Sequence, residues 1–328
     1  MERVKYGILS TSQIGRYAHV PAFAEADNAT LVARASRTQE RAARYADALG
    51  IPRSYGSYEQ LLASDDIEAV IVPLPNAMHC EWTVKAAEAG KHVLCEKPLA
   101  MTTTECRRMI DACRTNGVLL LEGFHHQFTP MMTRLKGIVG DGTIGEPLVL
   151  RAELTYTVSD WKHDVRVNSD LGGGALYDAG CYCVNTVRSI LGAEPAEASG
   201  FARTHPLNSV DAGFSGLLRF REGQIAYVAT SQEQPYRWPL EIVGTEGAVF
   251  TPDVFSAGEI TIRTPEGTEV ERFEPINRFA AQLEHFSRAV RDAWNLRVGP
   301  EDATRNTAVL VALQTSAMTG TVTAPELI

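Results

Sequence analysis

A chain of 328 residues, 45% hydrophobic and 22% charged, is long enough for two domains that bury their cores without disulfides or metal staples. Its 40 acidic and 31 basic residues leave a net charge of −9 with no long single-sign run, which excludes nucleic acid as a favoured partner. No stretch approaches the roughly 20 apolar residues that span a bilayer, and Met1 leads almost directly into an apolar run without a leader pattern, so a cytoplasmic protein with no membrane partner is expected.

In chain order, residues 4–9 form a short apolar strand, followed by a Ser10-Thr11-Ser12 turn and a helix over 14–26 that Pro21 kinks or breaks. Residues 29–35 read as the next strand. Thr38 caps a helix over 38–49 that Gly50 stops, and Ser57 to Gln60 has the form of a capping box. Strand 68–72, helix 77–89, strand 93–94, helix 104–116 and strand 118–121 complete an alternating series. Short connections in such a series imply right-handed crossovers and a parallel sheet. The expected fold class is α/β: an N-terminal Rossmann dinucleotide-binding domain over residues 1–123, then a C-terminal α+β substrate and oligomerisation domain over 124–328.

The second part follows a different grammar. Residues 148–157, 212–220, 224–231, 240–243 and 259–263 read as strands, several with alternating polarity, and Glu222-Gly223 and Glu246-Gly247 mark turns between neighbours. Helices are expected over 175–191, 277–294 and 302–318, packed on one face of a broad mixed or antiparallel sheet. A wide sheet face with few helices to cover it predicts a homodimer or homotetramer through the C-terminal sheet. The cysteines, Cys80, Cys95, Cys106, Cys113, Cys181 and Cys183, are expected as reduced, packed thiols. No second pair completes a zinc site with Cys181 and Cys183, and no metal is expected.

In a Rossmann domain the pyrophosphate lies over the first strand–helix turn, whose usual fingerprint is G-x-G-x-x-G. Here the turn reads Ser10-Thr11-Ser12-Gln13-Ile14-Gly15, keeping only the third glycine. The hydroxyls of Ser10, Thr11 and Ser12 can donate to phosphate oxygens, although the same residues also suit a plain strand–helix turn with a hydroxyl cap. The second strand ends in Ser36 and Arg37, where an acidic residue would otherwise hold the ribose of NAD. Arg37 and Arg41 at i+4 suit a 2′-phosphate, with Ser36 as an added donor. The alternative is a solvated basic face that includes Arg44. NADP is expected, and NAD less so.

Three segments then point to a family: Val72-Pro73-Leu74-Pro75-Asn76 with His79, Glu96-Lys97-Pro98, and Gly172-Gly173-Gly174 leading to Asp178 and Tyr182. In this order and spacing the chain resembles, over nearly its whole length, the Gfo/Idh/MocA oxidoreductases, the family of glucose–fructose oxidoreductase and inositol dehydrogenase. The resemblance implies a Rossmann domain, a second domain whose sheet often forms dimer interfaces, and nicotinamide-dependent chemistry. It implies Lys97 as the catalytic lysine, Glu96 to Pro98 as the turn facing cofactor and substrate, and Asn76 and His79, with Pro73 and Leu74, as the cofactor loop. Asp178 matches a substrate contact. Tyr182 stands where some members carry a catalytic histidine and others a tyrosine. Gln127 replaces an arginine found in many relatives.

The chemistry supports the same residues. Oxidising an alcohol or hemiacetal needs a base for the hydroxyl proton while hydride leaves to the nicotinamide. Asp178, Tyr182 and Asn185, at i, i+4 and i+7, are expected along one helical face. A lysine beside Tyr182 favours the phenolate, and Lys97 can also donate to the reacting oxygen. By position alone Tyr182 also reads as a buried aromatic with one hydrogen bond. His125 either flanks the nicotinamide or caps its strand, and Arg166 either contacts substrate or sits on a loop surface. The look of the whole is nearest the aldose dehydrogenases and dimeric dihydrodiol dehydrogenases. The expected function is an NADP-dependent oxidoreductase of a sugar or polyol, first an aldose 1-dehydrogenase, with nucleotide-sugar ketoreductase or dihydrodiol dehydrogenase as alternatives. A non-catalytic NADP-binding sensor or scaffold is the reading from another class, and the joint presence of Lys97, Asp178 and Tyr182 argues against it.

Overall fold

Continuous apolar runs, rather than alternating ones, form the first sheet, as strands covered on both faces require. The computed structural model describes residues 2–255, 258–292 and 294–327. The first series is β1 (Val4–Leu9), α1 (Val20–Glu25), β2 (Ala29–Ala35), α2 (Gln39–Leu49), β3 (Arg53–Tyr55), α3 (Tyr58–Leu62), β4 (Ala69–Val72), α4 (His79–Glu88), β5 (His92–Cys95), α5 (Thr103–Thr115) and β6 (Leu120–Glu122). Its strands lie in the order β3-β2-β1-β4-β5-β6, each neighbouring pair parallel. The order reverses between β1 and β4, where doubly wound sheets take their ligands at the carboxyl ends of the strands.

Local chemistry sets the helix ends. The side chains of Thr38, Ser57 and Thr102 accept from the backbone N–H groups of Arg41, Gln60 and Glu105, and Gly50 closes α2 with φ 65°. The helix expected over 14–26 is split. A wide turn, Gly15–His19, runs into α1, which carries Pro21 at its start where a missing N–H costs little.

The second series is α6 (Pro130–Gly140), β7 (Pro147–Thr157), a wide turn Leu176–Gly180 running into α7 (Cys181–Leu191), β8 (Pro195–Thr204), β9 (Asp211–Phe220), β10 (Ile225–Ser231), β11 (Glu233–Arg237), β12 (Leu240–Gly244), β13 (Ala248–Thr251), β14 (Glu259–Thr264) and β15 (Gly267–Arg272). The strands order as β15-β14-β13-β12-β7-β10-β9-β8, with β11 pairing β7. β7 and β10 run parallel and the other pairs antiparallel, so the sheet is mixed. α7 packs on β7 and β10. The outermost strands, β8 and β15, escape the sequence pattern because an edge strand need not alternate: β15 is exposed along almost its whole length.

The chain divides into two compact units, Met1–His125 with Asn277–Ala303, and His126–Ile276 with Thr304–Ile328. This corrects the single boundary expected at residue 123, because α8 (Arg278–Asp292) returns to the first sheet. Ser287 Oγ lies 2.7 Å from Tyr6 Oη, and Arg291 grips the Glu68 carboxylate at 2.6 and 2.7 Å. The apolar stripe of α8, Ala280, Leu283, Phe286 and Ala289, predicts a buried face without naming the sheet that buries it. The helix expected over 277–294 extends past residue 293, which lies outside the described residues. α9 (Glu301–Thr319) follows. Among the described residues no helix is long and apolar enough to cross a membrane, and all six cysteines are buried free thiols.

Candidate active site

Ser10, Ser36, Pro73 and Glu96 each stand one residue past the end of a parallel strand, β1, β2, β4 and β5, so the topology brings four sequence-selected segments to one edge of the first sheet. At the first of them hydroxyls stand where the fingerprint has glycines. Ser10 Oγ accepts from Ser12 N at 2.9 Å and donates to Pro73 O at 3.3 Å. Its proton is therefore used inside the fold, which corrects the expectation that all three hydroxyls serve phosphate. Ser12 Oγ accepts from Gly15 N at 3.2 Å and Thr11 Oγ1 from Arg41 Nε at 2.8 Å, so these two each keep a proton to donate. Gln13 and Ile14 are exposed beside them. Gly15 suits the close packing: a Cβ there would stand 3.1 Å from Ser12 Oγ, which would have to give by a few tenths of an ångström.

The end of β2 collects positive charge. Arg37 and Arg41 are exposed, Ser36 is buried with its N–H on Tyr55 O at 3.1 Å, and the guanidiniums of Arg34, Arg41 and Arg44 lie 5.5, 5.9 and 5.9 Å from the centre of the Tyr45 ring. Among the described residues none of these four arginines forms an ion pair. A cluster of cations with no carboxylate to neutralise it fits an anionic ligand, and the phosphates of a dinucleotide are that chemistry.

At the ends of β4 and β5 the loops are braced from within. His79 is fully buried, with Nδ1 2.9 Å from Pro98 O and Nε2 2.8 Å from Leu74 O. Burial pushes its pKa down, while the two carbonyls favour the charged ring. His79 thus ties the Leu74 loop to the Lys97–Pro98 turn, a correction to its expected place among cofactor contacts. Asn76 opens a short 3-10 turn, Asn76–Met78, and is half-buried. Glu96 is buried. Its Oε1 lies 2.7 Å from His19 Nε2 and its Oε2 accepts from Lys97 N at 3.2 Å. Burial alone would raise the Glu96 pKa, but the His19 bond and the charges of His19 and Lys97 outweigh it and hold the carboxyl below its ordinary range. The carboxylate therefore fixes the backbone from which the half-buried Lys97 side chain extends. His125 stands at the start of a 3-10 turn with its ring 4.2 Å from that of Phe279, which in turn meets His19 at 5.3 Å.

In the second unit Asp178 lies in the wide turn Leu176–Gly180, bonded i→i+5, which runs into α7 with Tyr182 and Asn185. Each of the three meets different partners there. Asp178 Oδ2 accepts from Tyr156 Oη and from Gln232 Nε2 at 3.3 Å. The Arg166 guanidinium stands 5.3 Å from the Tyr156 ring centre and is clamped by Asp164 at 2.9 and 2.5 Å. Tyr182 is buried, with the rings of His126, Trp238 and Phe255 at 5.4, 5.3 and 5.2 Å. Asn185 is 1% exposed and its carbonyl accepts from Gln127 Nε2 at 2.6 Å. Gln127 also meets His126 at 3.1 Å and accepts from Lys136 and Ser189, both at 2.8 Å, so it is a satisfied hub inside the fold. Asp211 Oδ2 accepts from Leu176 N at 2.6 Å, and burial raises its pKa to about 6. Sequence reasoning missed Tyr156, Gln232, Trp238 and His19; the place of Tyr156 near the end of an alternating strand was their one signal.

The fold and these residues define a dinucleotide-dependent oxidoreductase. Residues 4–124 match the oxidoreductase family, NAD-binding Rossmann fold, and residues 132–250 the GFO/IDH/MocA C-terminal domain. D-xylose 1-dehydrogenase (NADP(+)) 2 of Haloferax volcanii is 35% identical over 320 residues, covering 96% of this chain and 98% of its own. Aldose-aldose oxidoreductase from Caulobacter crescentus, solved with glycerol, superposes with a TM-score of 0.91 at 28% identity, covering 98% of this chain and 100% of its own. A 3-ketoreductase from Actinomadura kijaniata, solved with NADP and TDP-benzene, gives 0.90 at 29%, covering 96% and 98%. The chain belongs to the Gfo/Idh/MocA oxidoreductase family. It is an NAD(P)-dependent dehydrogenase or reductase acting on CH–OH groups.

Proposed function

We propose that the chain is an NADP-dependent dehydrogenase of a sugar or polyol, working first on free aldoses at C1. The observation that carries this reading is the placing of a buried phenol among aromatic rings, Tyr182, four residues after a polar network at Asp178. Names among the relatives, a D-xylose dehydrogenase and an aldose-aldose oxidoreductase, support the substrate class. Thr11, Ser12, Gln13 and Ile14 would hold the pyrophosphate and Ser36, Arg37 and Arg41 the 2′-phosphate, while Pro73, Leu74, Asn76 and Lys97 follow β4 and β5 at the same sheet edge.

When bound, the nicotinamide supplies the acceptor or donor of a hydride. The chain moves the proton. In this reading Tyr182 is the acid–base group for the substrate hydroxyl, and the Lys97 ammonium is a donor to developing oxyanion charge. Asp178, steadied by Tyr156 and Gln232, accepts from a neighbouring hydroxyl, and Arg166 donates to another. A panel of free pentoses and hexoses, nucleotide sugars and dihydrodiols, followed by NADPH absorbance, tests the proposal. Fastest turnover on free aldoses is expected. Turnover confined to either other class moves the substrate, and dinucleotide binding with no turnover leaves a non-catalytic sensor.

We further infer a homodimer or homotetramer through the second sheet. Leu217 on β9 and Tyr227 on β10 are register partners, 42% and 46% exposed, and Phe201 and Phe250 share their face. The same face also carries the Arg151–Glu241 ion pair between Tyr227 and Phe250, so it offers exposed apolar side chains set among charges, a mixture that suits an association surface. Leu217→Glu combined with Tyr227→Glu is expected to give a monomer by light scattering while the unaltered protein runs at dimer or tetramer mass. A monomeric unaltered protein at micromolar concentration ends this reading.

A further inference from the structure

Arg34 takes no part in the proton transfer above, and unlike Arg37, Arg41 and Arg44 beside it, it is wholly buried, the one charged residue of β2. Its Nε donates to Ser10 O at 2.9 Å, while Nη1 and Nη2 are buried without any hydrogen-bond partner. Nη2 comes within 3.4 Å of the point where a Cβ on Gly15 would stand, so the guanidinium lies directly under the turn that runs from Ser10 to Gly15. No carboxylate among the described residues pairs with it. Burial lowers its pKa to about 10, which leaves it a cation at neutral pH.

A buried cation with no counter-ion and two unused donor groups is costly, and proteins keep such a group where a ligand or reaction uses it. The turn above it lacks the first two glycines of the fingerprint, and Ser10 occupies the first glycine place with φ 156°. Its carbonyl is tied down by Arg34 and its hydroxyl by Pro73, so the turn is held from beneath on both sides.

We propose that Arg34 is a positioning residue for the dinucleotide: it fixes the Ser10 carbonyl and supplies, from under the turn, a positive charge that the bound pyrophosphate neutralises. The inference rests on the dinucleotide reading above. It assigns Arg34 to the pyrophosphate, which NAD and NADP share, because its hydrogen bond goes to Ser10 O of the turn and its Nη2 lies 3.4 Å from where a Cβ on Gly15 would stand, while the Tyr45 ring lies farther off at 5.5 Å. Arg37 and Arg41 discriminate between the two cofactors; Arg34 serves both.

Titration calorimetry of NADP+ and NAD+ on the intact protein, with thermal unfolding of the ligand-free protein, tests it in Arg34→Met and Arg34→Lys. Arg34→Met should weaken both dinucleotides by the same factor, about 10- to 100-fold, the worth of one charge-assisted contact. Arg34→Lys should recover most of that loss. The ligand-free Arg34→Met protein should melt no lower than the unaltered one, since an orphan charge has gone. A purely structural arginine gives the reverse: a lower melting point, and affinity that Arg34→Lys does not rescue. Unchanged affinity for both dinucleotides in a folded Arg34→Met protein overturns the proposal. So does a loss confined to NADP+, which would move Arg34 to the 2′-phosphate. If the unaltered protein binds neither dinucleotide, the underlying cofactor reading fails first, and that result is distinct from the others.

Discussion

Tyr182→Phe is expected to lower turnover by about 10²–10⁴ while leaving the protein folded. The ring is what the second unit packs: His126, Trp238 and Phe255 meet it edge-on at 5.2 to 5.4 Å, and phenylalanine keeps every one of those contacts. What leaves is the phenol oxygen. If that oxygen carries the substrate proton, the loss falls on kcat, because the proton moves only in the transition state. Lys97→Met is expected to be at least as damaging, since it removes a donor to developing oxyanion charge. The Glu96 carboxylate would still hold the backbone of residue 97 through its N–H, so the turn itself should survive. Turnover on a substrate identified in the panel, with circular dichroism to certify the fold, checks both variants. Near-normal turnover in folded Tyr182→Phe would take the tyrosine out of the mechanism and leave Lys97 as the proton carrier.

How much of this was legible in the chain depends on how local the cause is. Lys97, Asp178 and Tyr182 stood out because their segments keep a recognisable order, and the strands of the first sheet because apolar runs such as Ala69–Val72 leave few other choices. The wide turns Gly15–His19 and Leu176–Gly180 were invisible, since i→i+5 bonding has no residue signature of its own. Nor did the sequence signal that the Asn185 carbonyl is bonded to Gln127. Residues whose role lies in one distant partner were equally hidden. His19 acquires its meaning from Glu96, 77 residues on, and Tyr156 from Asp178, 22 residues on. The return of α8 to the first sheet belongs to the same class, because an amphipathic stripe specifies burial and leaves the partner open.

Arg37→Ala combined with Arg41→Ala should weaken NADP+ binding by about 10²–10⁴, since each charge-assisted contact is worth roughly 1.5–3 kcal/mol and neighbouring contacts do not add fully. NAD+ should lose much less. The two arginines are not equivalent in this respect. Arg37 is exposed at the strand end, so Arg37→Ala alone should act on NADP+ only. Arg41 also donates through Nε to Thr11 Oγ1, so Arg41→Ala frees a side chain of the phosphate turn and should cost NAD+ a few-fold as well. Exposed cations are screened by salt, and the preference for NADP+ over NAD+ should therefore shrink as ionic strength rises past about 0.1 M. Calorimetric titration of both dinucleotides into the unaltered protein, the two single variants and the double variant, at low and high salt, separates these effects. An unaltered protein that binds NAD+ more tightly than NADP+ would overturn the assignment. The unpaired arginines would then have to answer to some other anion, since no carboxylate among the described residues neutralises them.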